Sequence, residues 1–306
     1  DTPDEIRSDT LEIVRDYLAM GIDPEKAAIS LQSEIPAIAE LTFLFAMLLP
    51  YNRVMRNPTL KEEIKVKGLG DNYSFGFPLY AVGQTADILA FRAHSVPVGE
   101  DQIPHIELTR EVARRFNKLY CGIDENMEDD DPMMEEKGVF PIPVADVGAV
   151  GKLVGTDGVN KMSKSLNNAI VVTDSKKQVK KKLGQLYTGR QSMTDPGDPN
   201  NSLMQYVDIF ISEVDRAKEL KDRYVKGDNI GDGEIKAELS EAISALLEPM
   251  QDRRSKYEGD DDIIVDIIRD GTTRANAKTE ETLAMAKEAC GLSFFNRTLP
   301  LGSCSV

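Results

Sequence analysis

At 306 residues, with 41% apolar side chains and a formal net charge of −15, the chain has apolar mass for two ordinary globular domains. The same charge argues against a sequence-blind nucleic-acid binder, because phosphate neutralisation supplies non-specific affinity. Cys121, Cys290 and Cys304 are widely spaced and form no C-x-x-C pair, which disfavours a disulfide framework, a zinc site or an iron–sulfur site.

In chain order, residues 4–20 place Ile6, Ile13, Val14, Tyr17 and Leu18 on one helical face and run into Gly21, where a left-handed cap is expected. The apolar stretch 27–31 predicts a short parallel strand. Pro36 then predicts the start of a helix through Leu41, Phe43, Leu44, Met47 and Leu48, giving a βα crossover and an α/β layer architecture. Residues 35–49 are more continuously apolar than one buried helix face requires, which fits either a core helix or the interface of a homodimer. Within them Leu41–Leu49 is the longest apolar candidate, yet short of the ~20 residues of a membrane span, and no charged-then-apolar leader opens the chain, so a cytoplasmic address is expected. The acidic run 124–136 reads as an exposed insertion loop rather than a metal site, since nothing fixes its geometry.

Lys176, Lys177, Lys180, Lys181 and Lys182 form the densest basic cluster, either a solvated helix face or a track for a polyanion. From about residue 201 strand signals fade and helical periods take over, at 204–226, 235–250, 261–270 and 279–290. The expected fold is therefore α/β, a doubly wound parallel sheet over residues 1–200, followed by an α-helical domain over 201–306. No internal repeat or low-complexity tract appears.

The segment GKLVGTDGVNKMSKSLNNAI carries the most specific chemistry. Lys161 and Lys164 stand three positions apart among Met162, Ser163 and Ser165, so two point charges and a small-residue backbone can hold polyphosphate oxygens. That arrangement suits the expulsion of pyrophosphate from ATP. Upstream, residues 85–117 read TADILAFRAHSVPVGEDQIPHIELTREVARRFN, and further strings stand at 21–42, 195–202 and 271–292: GIDPEKAAISLQSEIPAIAELT, DPGDPNNS and GTTRANAKTEETLAMAKEACGL.

In that order, these segments resemble the tryptophanyl-tRNA synthetases, a family of class I aminoacyl-tRNA synthetases, over nearly the whole chain. Tyrosyl-tRNA synthetases share the architecture, but VPVGEDQ followed by HIELTR is the tryptophanyl style. The resemblance implies ATP-dependent ligation of L-tryptophan to tRNA(Trp) through tryptophanyl-adenylate, with Mg2+ accompanying ATP and a homodimer as the usual assembly. It also implies a Rossmann-like catalytic domain over 1–200 and an anticodon-binding helical domain over 201–306.

Residue by residue, Lys161 and Lys164 are implied to be catalytic, on the transferring phosphates, with Met162, Ser163 and Ser165 completing the loop. Gly99, Glu100 and Asp101 are implied to line the ATP ribose, and Lys152 to meet the adenine through its backbone. Asp87 is implied to accept the indole N–H, a contact whose loss leaves a desolvated charge unpaired and so rejects phenylalanine-like substrates. Read on its own, Asp87 is more simply a helix N-terminal acid, stabilised by the first-turn dipole. Tyr80 and Gln102 are implied to serve the substrate ammonium group, though both also read as satisfied core polar residues. Val96 and Val98 supply apolar walls, and Gln84 departs from the methionine that some members set against the indole ring. One of Lys61, Lys65 and Lys67 is a candidate further phosphate ligand.

The family's His-x-Gly-His element is not found here, since His94 and His105 are the two histidines and neither is followed by Gly-His. The opening residues match a region that follows that element, so the expectation is a sequence lacking the family's N-terminal several tens of residues. Neither histidine is expected to be catalytic, because neither has a Ser or Cys nucleophile in a partner motif. The alternative reading is a non-catalytic paralogue, a tryptophan sensor or RNA-binding regulator, against which the retained pyrophosphate-type loop argues.

Overall fold

The computed structural model describes residues 2–295 apart from Asp71, Glu125, Ala149, Gly151, Lys152, Lys161, Ser163, Lys164 and Ser165. Helix α1 spans Pro3–Met20 and is opened by a capping box, Thr2 with Glu5, and closed by Gly21 at φ 102°. There follow α2 (Pro36–Ala46), α3 (Tyr51–Val54), α4 (Pro58–Val66), α5 (Gly76–Leu89), strand β1 (Ser95–Val98), α6 (Ile103–Cys121), α7 (Pro132–Lys137) and strand β2 (Val144–Val147). The remainder is helical: α8 (Lys176–Gly184), α9 (Ser202–Phe210), α10 (Val214–Lys226), α11 (Asp232–Ser255) and α12 (Asp261–Ala289).

The helices pack into two compact units that are discontinuous in sequence, one of Asp1–Ala27 with Ala149–Ile267, the other of Ala28–Gly148 with Ile268–Val306. Division by packing thus differs from the division by chain order at residue 200. In the first unit α9, α10 and α11 share a core with α8 on the near side of that position, built on Tyr206, Tyr224, Leu183 and Leu239.

In the second unit β1 and β2 pair in parallel, Ser95 opposite Val144 and Val98 opposite Val147, with α6 and α7 in the connection. Parallel strands need such a crossover, so this is the expected βαβ arrangement, and these are the strands found among the described residues. Behind it Phe45 and Phe116 each meet Phe140 edge to face, at 5.2 Å and 4.8 Å between centroids, with all three rings fully buried. Asn117, also fully buried, donates to the Phe140 carbonyl and accepts from the Val139 and Phe140 amides, bracing the approach to β2.

Four local expectations are corrected. Residues 27–31 are irregular rather than a strand. The Leu31 amide donates to Thr272 Oγ1, and the Ile29 backbone lies so close to α12 that a Cβ on Gly271 would stand 2.1 Å from its carbonyl oxygen. The same close approach explains why Gly271 does not end a helix, so 261–270 and 279–290 belong to one continuous α12. The expected helix 204–226 is two, parted where Ile211 turns extended at ψ 99°. On α1 the buried residues are Val14, Arg15, Leu18 and Ala19, whereas Ile6, Ile13 and Tyr17 are exposed. Helix α11 covers that face, and Arg15 tolerates burial there because it pairs with Glu12 and Asp261 and donates to the Tyr257 carbonyl.

Candidate functional site

Tyr80, Gln84 and Asp87 fall at positions i, i+4 and i+7 of α5, so the helix presents them along one face while Ala81, Val82, Ala86 and Leu89 anchor it in the core. Gln84 Nε2 donates to Gln102 Oε1 at 3.1 Å, joining two of the expected tryptophan-site residues directly. The Tyr80 hydroxyl is buried with no close hydrogen-bond partner among the described residues, the Glu63 carboxylate standing near it as a weak acceptor. Burial, with the negative charge of Glu63, pushes its pKa up to about 12, so it stays a neutral phenol. Asp87 is held by Gln32, whose Nε2 donates to Oδ1 at 2.6 Å, and Oδ1 is the oxygen so engaged among the described residues. Burial raises the Asp87 carboxyl above its usual range, and the Gln32 bond offsets part of that. Gln32 was missed by sequence reasoning because it lies 55 residues away and no spacing rule links the two.

Val96 and Val98 share the half-buried side of β1, opposite Ala145 and Val147 in register. The strand runs into a turn, Glu100–Gln102, whose first two residues are exposed carboxylates. Gly99 has an ordinary φ of −76°, and a Cβ there would stand 2.8 Å from Asp101 Oδ1, the end of an exposed side chain that can turn away. Beside the turn lies His105, 2% exposed, its ring 5.8 Å from that of Tyr80. Burial lowers its pKa against the opposing charges of Glu63 and Asp101. The imidazole is therefore a packing and hydrogen-bonding group, as the sequence suggested.

The expected phosphate residues Lys152, Lys161, Ser163, Lys164 and Ser165 lie outside the described residues; residues 153–160 and 166–182 flank them. The Thr156 amide donates to the Asn168 carbonyl at 2.7 Å, closing the base of the segment. Asp157 then accepts from the Val159 and Asn160 amides through Oδ1, and from the Asn160 and Asn168 side-chain amides through Oδ2, at 2.9–3.1 Å. Those bonds, the Asn160 side chain's foremost, hold its carboxyl well below the usual range. Gly158 sits at φ +74°, and its carbonyl accepts from Ser202 Oγ. Met162 is packed at the edge of the first unit's core. After the segment, Lys182 is held by both oxygens of Asp174 and by the Ala169 carbonyl. That bond takes Lys182 out of the expected basic cluster, leaving Lys176, Lys177, Lys180 and Lys181 as its exposed members, of which Lys176 pairs with Glu241.

The acidic run is partly anchored rather than a free loop. Asp129 takes a bidentate pair with Arg114 and a further bond from Arg110, and Glu135 meets His94. No group of three or more potential metal ligands is found among the described residues. Nor is any helix there long and apolar enough to cross a membrane. Lys67 pairs with Glu63 and lies over the Phe77 ring, while Lys61 and Lys65 are exposed.

A family model described as class I tRNA synthetases (W and Y) matches residues 1–248, and the chain belongs to that family. It is 39% identical over 297 residues to the tryptophan–tRNA ligase of Clostridium longisporum, covering 96% of this chain and 83% of the relative. It is 41% identical over 285 residues to that of Treponema pallidum, covering 92% and 79%. The tryptophanyl-tRNA synthetase of Campylobacter jejuni, solved with ADP and tryptophan, superimposes with a TM-score of 0.74 at 30% identity, over 95% of this chain and 85% of that one. Within its family the chain thus sits with the tryptophanyl-tRNA synthetases, and its fold is their α/β Rossmann-like domain with helical additions.

Proposed function

We propose that the protein activates L-tryptophan with ATP and transfers it to tRNA(Trp). The observation that carries this is the row of Tyr80, Gln84 and Asp87 on one face of α5, with Gln102 bonded to Gln84. Asp87 accepts the indole N–H with the carboxylate oxygen that Gln32 leaves open, and the uncharged Tyr80 phenol and Gln102 serve the ammonium group. Val96 and Val98 wall the ring, and Gly99, Glu100 and Asp101 receive the ribose of ATP. The tryptophan carboxylate attacks the α-phosphorus, pyrophosphate departs against Lys161 and Lys164 with Mg2+ carried in on ATP, and the adenylate then acylates the terminal ribose of tRNA. The nucleophile is already an anion, so positioning and charge compensation supply the rate.

The helices beyond residue 201 carry the anticodon contacts in this reading, with Lys177, Lys180 and Lys181 as a local basic track on an acidic protein, which repels other RNAs. The address is cytoplasmic. Homodimerisation uses α2 and its capping residue Met47; α2 buries Leu41 and Phe45, while Phe43 is 75% and Met47 83% exposed.

Tryptophan-dependent ATP–pyrophosphate exchange tests the reading, with tyrosine and phenylalanine as competitors. The chain contains no tryptophan, so the fluorescence of the bound amino acid reports its affinity directly. Replacing Lys161 or Lys164 by Ala should lower the adenylation rate constant more than it weakens tryptophan binding, since the charge develops in the transition state. Normal turnover with weakened tryptophan binding would assign the loop to the wrong substrate.

A further inference from the structure

We infer that Asn57 and Thr59, which flank Pro58 at the start of α4, are positioning residues for the polar end of the tryptophan and ATP site; this rests on the function proposed above. Asn57 is 1% exposed and caps α4, its Oδ1 accepting from the Thr59 amide at 2.9 Å. That bond fixes which end of the amide is which. Nδ2 is therefore the group that faces His105 Nδ1 at 3.4 Å, and Nδ1 must be the acceptor. The imidazole proton then sits on Nε2, and a protonated ring would set one N–H against another. Burial already disfavours the charged ring. The neutral, oriented ring lies 5.8 Å from Tyr80 at an interplanar angle of 39°, beside the residue whose buried hydroxyl has no close partner among the described residues.

Two residues on, Thr59 Oγ1 donates to the Asp101 carbonyl at 2.9 Å and so holds the Glu100–Gln102 turn. One short Asn-Pro-Thr segment thereby fixes two arms of the site. The Asn57 arm acts through His105 on Tyr80, and the Thr59 arm acts on the turn expected to meet the ribose. Pro58 stiffens the link, because its ring sets φ at the first position of α4.

The two arms make separable demands on the full protein. Asn57→Asp keeps the helix cap but turns a carboxylate oxygen toward Nδ1, so it should draw a proton onto that nitrogen. It should raise the KM for tryptophan about tenfold and leave that for ATP unchanged. Thr59→Val should do the reverse, and Thr59→Ser should restore the wild-type value. Ring 15N spectra, with the His105 signals assigned by their loss in His105→Gln, report its tautomer. The wild type should show the neutral Nε2–H form, and Asn57→Asp the Nδ1–H or doubly protonated form. An unchanged ring spectrum in Asn57→Asp, equal rises in both KM values, or failure of Thr59→Ser to rescue would overturn the inference. A wild-type protein that binds no tryptophan would instead sink the proposed function, while the ring spectra would still decide the Asn57–His105 bond.

Discussion

The α5 face and the segment around Asp157 treat their polar groups in opposite ways. On α5 the Tyr80 hydroxyl is buried without a close partner among the described residues, Asp87 carries a raised carboxyl, and Gln84 and Gln102 share one bond. Around Asp157 and Asp174 the carboxylates are fully engaged by the fold, although the buried Thr156 hydroxyl has no partner among the described residues. Asp157 accepts four hydrogen bonds, and Asp174 gives both oxygens to Lys182 and accepts the Val171 amide as well. A buried polar group left unsatisfied costs about 1–3 kcal/mol, so a fold retains such groups where a ligand completes them and satisfies them where geometry must be held. The first region is built to receive, the second to hold its shape.

If that contrast is right, the second region should fail in stability and the first in specificity. The largest effect is expected at Asp174, whose side chain is 4% exposed against 16% for Lys182. Asp174→Ala leaves the ammonium buried and unpaired and should cost about 3–5 kcal/mol in chemical denaturation. Tryptophan affinity of the fraction that remains folded should not move, and a loss of affinity with unchanged stability would reverse the assignment.

Asp87→Asn comes next. It should cost on the order of 2–4 kcal/mol in discrimination between tryptophan and phenylalanine, because an amide can present the wrong end to the indole N–H. The same variant should gain stability at neutral pH. The folded state holds the Asp87 proton more tightly than the unfolded chain, so native Asp87 costs nothing below the usual aspartate value of 3.8 and becomes unfavourable as pH rises through its raised pKa. Thermal midpoints at pH 3 and pH 7 check the sign. A variant less stable than wild type at pH 7 would show that the charged form is welcome in the empty site.

A smaller effect is expected at Tyr206, fully buried, whose hydroxyl donates to the Val154 carbonyl at 2.8 Å. Tyr206→Phe removes one hydrogen bond beneath the segment and should cost about 1 kcal/mol. Hydrogen exchange should show faster opening at 155–160 and no change at 80–87. Last and smallest, Lys177, Lys180 and Lys181 replaced together by Gln should reduce the salt slope of tRNA binding by about 2–3 without altering adenylate formation. An unaltered slope would mark them as a solvated helix face.

Much of the local structure was legible in the chain because its causes are local. Pro36 and Gly21 act within a turn of where they stand, and they begin and end helices where expected. The family was also legible from the KMSKS, GEDQ and Asp87 segments, since residue type at fixed spacing carries the resemblance. Errors came where a distant segment intervened. Residues 27–31 have strand-like composition, but the Leu31 amide is taken by Thr272 and the Ile29 backbone lies against Gly271 of the same helix, so no ladder forms. Periodicity marked an apolar face on α1, yet α11 with its arginine network covers the neighbouring one.

By itself, then, the sequence determined which side chains could do the chemistry, where most helices start and stop, and which family the protein joins. Tertiary structure alone decided that Gln32 holds Asp87 from 55 residues away, that Asn57 orients His105 from 48, and that Lys182 is taken from the basic cluster by Asp174. The physical reason is range. Propensity and capping act over about one helical turn, whereas the partner of a buried polar group is set by which segments the cores bring together.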